Sequence, residues 1–294
     1  MRVNLLQSSV NPRSAGRTSA ALLVMVVALT ALGCSKLQAR IELKEGNRLY
    51  QEENYKKALE QFQKGLQLDP GFKEMWRSVG LSAMALYRPG DSSPENIRMA
   101  QTAIDAFEKY LQAFPRDEKV REYQLTTLLN AERYDDALAK LRATLAQKPG
   151  DEMASKAIPT ILMKAGRLPE ALQFIRSQPK PDPELLHAIA VTCWDKSFRN
   201  KELDLVARGK FIDMGLDAEG QALKINPNYF EGNVYYGLLL RERAGKIETD
   251  PEKQQAIIAE AVEYQNKAKA LRQQQLDKEK QQAAASAPGA APVH

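Results

Sequence analysis

Residues 58–70 read ALEQFQKGLQLDP, residues 103–115 read AIDAFEKYLQAFP, and residues 137–149 read ALAKLRATLAQKP. Each run opens on Ala, carries a large apolar residue four places on (Phe62, Phe107, Leu141), and closes on Pro (Pro70, Pro115, Pro149). Ala171, Ile175 and Pro183 continue the series. The alanines and the prolines both step by 45, 34 and 34, and then by 44 to Gly215 and Pro227. A second series, Gly46, Gly80, Leu125, Pro159, Cys193 and Gly237, steps by 34, 45, 34, 34 and 44. The period is therefore 34, lengthened by about 11 in the second unit and by about 10 in the fifth. A fixed period of this length marks small units that bury their apolar faces by stacking on their neighbours.

A pair of amphipathic helices repeated at this period resembles the tetratricopeptide repeat. The first unit carries Gly46, Tyr50, Ala58, Phe62 and Pro70 at signature places of that motif, and the second opens with Trp76, Val79 and Gly80. The resemblance spans about residues 39–245 and fades beyond the third unit. It implies an all-α fold, a right-handed superhelical solenoid of about five to six helix-turn-helix repeats. The units fall near 39–72, 73–117, 118–151, 152–185, 186–229 and, in degenerate form, 230–245. Gly46 and Gly80 lack a Cβ and so permit close helix approach. Tyr50, Phe62, Trp76 and Phe107 have the bulk to fill the space between units. The prolines end each second helix.

The insert at 88–97 (RPGDSSPENI) reads as a loop. The one at 198–209 (FRNKELDLVARG) has room for a short helix. Pro159 falls mid-helix and predicts a bend in unit four. Beyond Pro251, Ile257, Ala261, Tyr264, Ala268 and Leu271 step by 4, 3, 4 and 3. That stripe predicts a long C-terminal capping helix over 251–282 with one apolar side. Residues 283–294 (AAASAPGAAPVH) read as a disordered tail.

The chain has 294 residues, with 42 Lys+Arg against 37 Asp+Glu. Three of those bases (Arg2, Arg13, Arg17) and none of the acids precede residue 34, so the excess beyond the leader is only +2. No basic stripe for nucleic acid is expected from such a balance. Residues 20–32 (AALLVMVVALTAL) are too short to cross a bilayer and fit the apolar part of a secretory signal. Ala31-Leu32-Gly33-Cys34 then resembles the lipobox of bacterial lipoproteins, although that family more often has Leu where Ala31 stands. The resemblance implies a signal peptide over 1–33 and acylation of Cys34, with 34–38 a lipidated N-terminus and short linker. It places the chain in the bacterial cell envelope, lipid-anchored, at the outer membrane and facing the periplasm. One acyl chain holds weakly and several hold stably.

With two His and two Cys, no Cys/His zinc site at the usual spacing can be drawn, and no Walker-type phosphate loop is present. The reading is non-enzymatic, with no cofactor and no metal. Cys193 shares its place in the repeat with Gly46, Gly80 and Gly237, which predicts a buried packing thiol rather than a reactive one. In the repeat family, first helices line a concave groove. The resemblance assigns to it Arg40, Leu43 and Asn47 of unit one, Arg77, Leu81 and Met84 of unit two, and Glu122 and Thr126 of unit three. Lys156, Thr160 and Met163 follow in unit four, and His187 and Trp194 in unit five. Met and Trp among scattered charges suit an apolar-anchored peptide. The expected function is a membrane-anchored periplasmic scaffold that binds protein or peptide segments and assists assembly of a cell-envelope complex. The alternatives are a cytosolic adaptor of the co-chaperone type and an accessory subunit of a cell-wall-active enzyme.

Overall fold

A computed structural model describes residues 34–286. The leader over 1–33 and residues 287–294 of the expected tail lie outside the described residues. The described chain is helical and divides into two compact bodies, one ending at Arg133 and the other beginning at Tyr134.

The first body holds α1 (residues 34–51), α2 (Tyr55–Leu68), α3 (Met75–Leu86), α4 (Pro94–Ala113) and α5 (Glu118–Asn130). Residues 34–38 are already helical, so the expected linker is the start of α1. The repeat positions pack as side-chain size demands. A Cβ on Gly46 would lie 2.4 Å from the Phe62 ring, and one on Gly80 would lie 2.4 Å from the Phe107 ring. The two rings are fully buried and fill the volume that each glycine leaves. Phe62 and Phe107 thus pack inside their own helix pairs, whereas Tyr50 and Trp76 are half-buried at the edge of the core. Met75 performs the same fit between units, its side chain lying against Gly65.

The second body holds α6 (Tyr134–Gln147), α7 (Glu152–Lys164), α8 (Leu168–Ser177), α9 (Pro183–Arg199), α10 (Leu205–Ile225), α11 (Phe230–Lys246) and α12 (Pro251–Ser286). From α6·α7 onward helices pack on their neighbours in the chain, and first helices also touch first helices, α7 on α9 and α9 on α11. The core includes Ile158, Leu162, Ala171, Ile175, Leu186, Ile189, Ile212 and Leu239. Helix α7 runs from Glu152 to Lys164 with buried Pro159 inside it.

Helix starts are set by side-chain caps. Asn54, Ser93, Asp117, Asp151, Asp182 and Asp204 each accept a backbone N–H from the first turn. Such a cap contributes about 1 kcal/mol. Three of the turns within units share one device. Glu53, Glu132 and Gly166 hold equivalent places in units one, three and four, and all have left-handed φ (59°, 56° and 74°). The next N–H in each case reaches back five places, Asn54 to Leu49 (2.9 Å), Arg133 to Leu128 (2.8 Å) and Arg167 to Leu162 (2.8 Å). These bonds close the helix end as a Schellman turn.

The two insertions fall at this same turn. In unit two the loop ends at Ser93 and Pro94 opens α4, so 94–97 are helix rather than loop. Buried Asn96 holds the loop, accepting from Arg88 N (2.7 Å) and donating to Arg88 O (2.8 Å) and Asp91 O (2.7 Å). In unit five the added residues lengthen α9 and α10 and leave a short turn at 200–204 with no helix of its own. Arg208 holds that turn. Its guanidinium donates to Ser197 O, Asn200 O (2.8 Å) and Leu203 O (3.3 Å) and pairs with Glu242 of α11 (3.3 Å).

The sixth unit is complete. Helices α11 and α12 pair along Gly237, where a Cβ would lie 3.2 Å from Ala261 O. Ala261 and Ala268 are buried, and Ile257, Tyr264 and Leu271 are half-buried, as the heptad-like stripe predicts. Helix α12 extends to Ser286, past its expected end at 282 and into the segment read as tail.

Candidate functional site

In units one to four the place four residues after the rung alanine is held by Phe62, Phe107, Leu141 and Ile175, all buried. In unit five, where Gly215 takes the rung, that place is held by Glu219, which is fully buried. Its Oε2 lies 2.8 Å from His187 Nδ1 of the preceding helix, and its Oε1 has no hydrogen-bond partner and sits beside Gly232. Burial pushes the Glu219 carboxyl above the usual glutamate range, and His187 opposes that shift. Desolvation of the charged form is the cause. The His187 ring stands edge-on to Tyr229 (5.0 Å between centroids) and to Tyr235 (5.2 Å).

The aromatic contacts continue along α9. Tyr235 is also edge-on to Trp194 (5.6 Å, 88°), and Trp194 stacks on Phe198 (4.9 Å, 10°). His187 and Trp194 are thus joined through Tyr235 of α11. The result is one wall, Tyr229–His187–Tyr235–Trp194–Phe198, built from the first helices of units five and six and the residue that precedes α11. Its inner end is pinned by a buried carboxyl. Its outer end is open, with Phe198 57% exposed and Trp194 half-buried. Stacked and edge-on rings of this kind offer rigid area that a partner's apolar side chain can cover at low entropic cost.

The other groove residues are placed as follows. On α1 and α3, Arg40, Asn47 and Arg77 are exposed, while Leu43, Leu81 and Met84 lean partly into the core of the first body. On α5, Thr126 is exposed and Glu122 pairs with Lys119 at 2.9 Å. On α7, Lys156 pairs with Glu152 at 3.1 Å, Thr160 donates to Lys156 O (3.0 Å), and Met163 is half-buried. Tyr229, Tyr235, Phe198 and Glu219 are not among the sequence candidates. Glu219 has a readable signal, a charged residue at a place otherwise apolar. Tyr235 has none, since its role follows from how α9 and α11 pack.

Cys34 is exposed at the start of α1. Cys193 is free and fully buried, and burial pushes its thiol up to about 12. Its neighbour across the helix pair is position 215, where a Cβ would lie 3.1 Å from the Cys193 Cβ. Among the described residues, no three His, Cys, Asp or Glu side chains are grouped to hold a metal, and no helix is long and apolar enough to cross a membrane.

Comparison with known proteins bears on the repeat. The tetratricopeptide repeat family model matches residues 98–152 and 124–183. No curated protein matches the chain. Among solved structures, a TPR repeats protein from Bacteroides fragilis NCTC 9343 is 16% identical, with 68% of this chain and 97% of that one covered and a TM-score of 0.43. YrrB, a TPR protein with an unusual peptide-binding site, is 21% identical, with 65% and 88% covered and a TM-score of 0.36. MamA from Desulfovibrio magneticus RS-1 is 14% identical, with 81% and 97% covered and a TM-score of 0.32. The described residues form an all-α array of helix pairs, of which residues 98–183 match the tetratricopeptide repeat family model.

Proposed function

We propose that this chain is a repeat scaffold that binds a protein or peptide segment on its first-helix face, with the α9–α11 aromatic wall as the main anchor. The observation that carries the reading is the run Tyr235–Trp194–Phe198, three rings in successive contact with the outer one open to solvent. Aromatic anchors dominate protein interfaces, and truncating one at a hot spot costs about 2 kcal/mol or more. Within the same body, Lys156 on the first helix α7 is held in a short-range pair with Glu152 and serves as part of a solvated rim.

The working location proposed is the periplasmic face of a bacterial outer membrane, with acylated Cys34 as tether and assembly of an envelope complex as the task. Two features support it. The apolar run 20–32 ends directly before Gly33-Cys34, and Cys34 is exposed at the start of α1, open to modification. The mature first residue would then lie at a helix terminus, holding α1 close to the bilayer. The alternatives are a cytosolic adaptor and an accessory subunit of a cell-wall-active enzyme.

Fractionation combined with native co-purification tests both parts. Wild type is expected in the membrane fraction with an acylated N-terminal cysteine, and Cys34→Ala is expected in the soluble fraction. A client that co-purifies with wild type is expected to be lost from Trp194→Ala/Tyr235→Ala. An unmodified chain retaining Met1 would overturn the tether. A client list unchanged by the double variant would overturn the anchor.

A further inference from the structure

Every second helix but the last is covered within its body by the first helix that follows: α2 by α3, α4 by α5, α6 by α7, α8 by α9 and α10 by α11. Helix α12 has no following helix among the described residues. It also outruns its partner, with 36 residues against 17 in α11. Because length grows in proportion to residue number, about half of α12 projects beyond anything α11 can cover. Among the described residues the last buried one on α12 is Ala268.

Where the next first helix would lie, α11 and α12 form a groove of about 520 Å³. Its apolar floor includes Val234, Leu238 and Leu276, and its rim carries Arg241, Lys269 and Arg272, with no acid among the lining residues. Arg241 and Arg272 are hydrogen-bonded to neutral glutamines, Gln265 (2.9 Å) and Gln275 (3.1 Å), bonds that leave their charge unneutralised. Tyr235 projects from a different side of α11, toward α9, so this groove is separate from the aromatic wall.

We infer that the α11–α12 groove docks an acidic amphipathic helix of a partner protein. The shape is that of a missing first helix, the floor takes apolar residues at i, i+3, i+4 and i+7, and the three cations call for carboxylates on the flanks. This surface is separate from the aromatic wall and does not depend on it.

Fluorescence anisotropy on the full chain tests this. The probe is a fluorescein-labelled helical peptide of about 18 residues with Leu at i, i+3, i+4 and i+7 and Glu elsewhere. It should bind with an affinity that falls as salt rises, and the same peptide with Lys in place of Glu should not bind. Lys269→Glu/Arg272→Glu changes two exposed side chains and should weaken binding about 10-fold or more, since it turns attraction into repulsion on one flank. Leu276→Glu should do the same, while Trp194→Ala should leave binding unchanged. That last variant separates this site from the aromatic wall. Equal binding of the Lys peptide, or affinity unmoved by the α12 variants, would overturn the inference. Self-association abolished by Leu276→Glu would assign the groove to a second copy and overturn it too.

Discussion

Replacing Arg208 by Met removes one cation from the middle of the second body. The guanidinium is 8% exposed, as is the Glu242 carboxylate it faces at 3.3 Å. It also donates to the carbonyls of Ser197, Asn200 and Leu203, which lie at and within the turn joining α9 to α10. Breaking a buried pair from one side leaves the other charge uncompensated and costs about 3–5 kcal/mol. For a body of about 150 residues that lowers the melting temperature by roughly 6–20 °C. Ser197 Oγ, at 3.4 Å, remains on Glu242 and offsets little of this. Removing both charges in Arg208→Met/Glu242→Leu eliminates the stranded carboxylate, so the double variant should regain most of the loss, with a coupling of about 2–3 kcal/mol. Urea unfolding in a Trp76→Phe background reads the event, since Trp194 is then the one tryptophan left. A single variant costing less than about 1 kcal/mol, in the range of a surface pair, would refute the reasoning. So would a double variant no more stable than the single.

Three further outcomes are expected. Glu53, Glu132 and Gly166 all sit in the left-handed region. Glu53→Gly and Glu132→Gly should therefore each raise stability by about 0.5–1 kcal/mol, and Gly166→Ala should lower it by about 1 kcal/mol; urea midpoints check all three. Glu219 is held above the ordinary glutamate range by burial, so the folded state keeps a proton that the unfolded state has already released. Stability should fall as pH rises from the ordinary glutamate range through the raised folded value, and Glu219→Gln should flatten that slope in melts taken across the window. Cys193, with its thiol pushed up to about 12, should resist a disulfide-exchange reagent in the folded chain at mildly alkaline pH and react only in denaturant; rapid native labelling would contradict its burial.

The fold was legible because the repeat writes its packing into residue size. Gly46, Gly80, Phe62 and Phe107 stood out as small and large residues at repeat positions, but the reading set the rings between units, whereas Phe62 faces Gly46 and Phe107 faces Gly80 inside one helix pair. The sixth unit was harder to read. Ala261 stands twice as far beyond Gly237 as Ala58 stands beyond Gly46, so the rung falls beyond Pro251 and out of register. The left-handed turns were legible at Gly166 and hidden at Glu53 and Glu132, whose side chains do not advertise the conformation. Asn96 and Arg208 anchor the two insertions through hydrogen bonds to backbone atoms, which carry no sequence signature. On the candidate site, the groove places that the repeat resemblance assigns to α9 picked out His187 and Trp194. Their joining through Tyr235 depends on the packing of α9 on α11.

The most direct test is photo-cross-linking in living cells from position 198, beside Trp194, with position 221 on the second helix α10 as control. One client segment should be captured at position 198 and not at 221, and the adduct should disappear when Trp194→Ala and Tyr235→Ala are added. The same adduct from both positions, or one that survives loss of Trp194 and Tyr235, would contradict the claim that the aromatic wall on the first-helix face is the working surface.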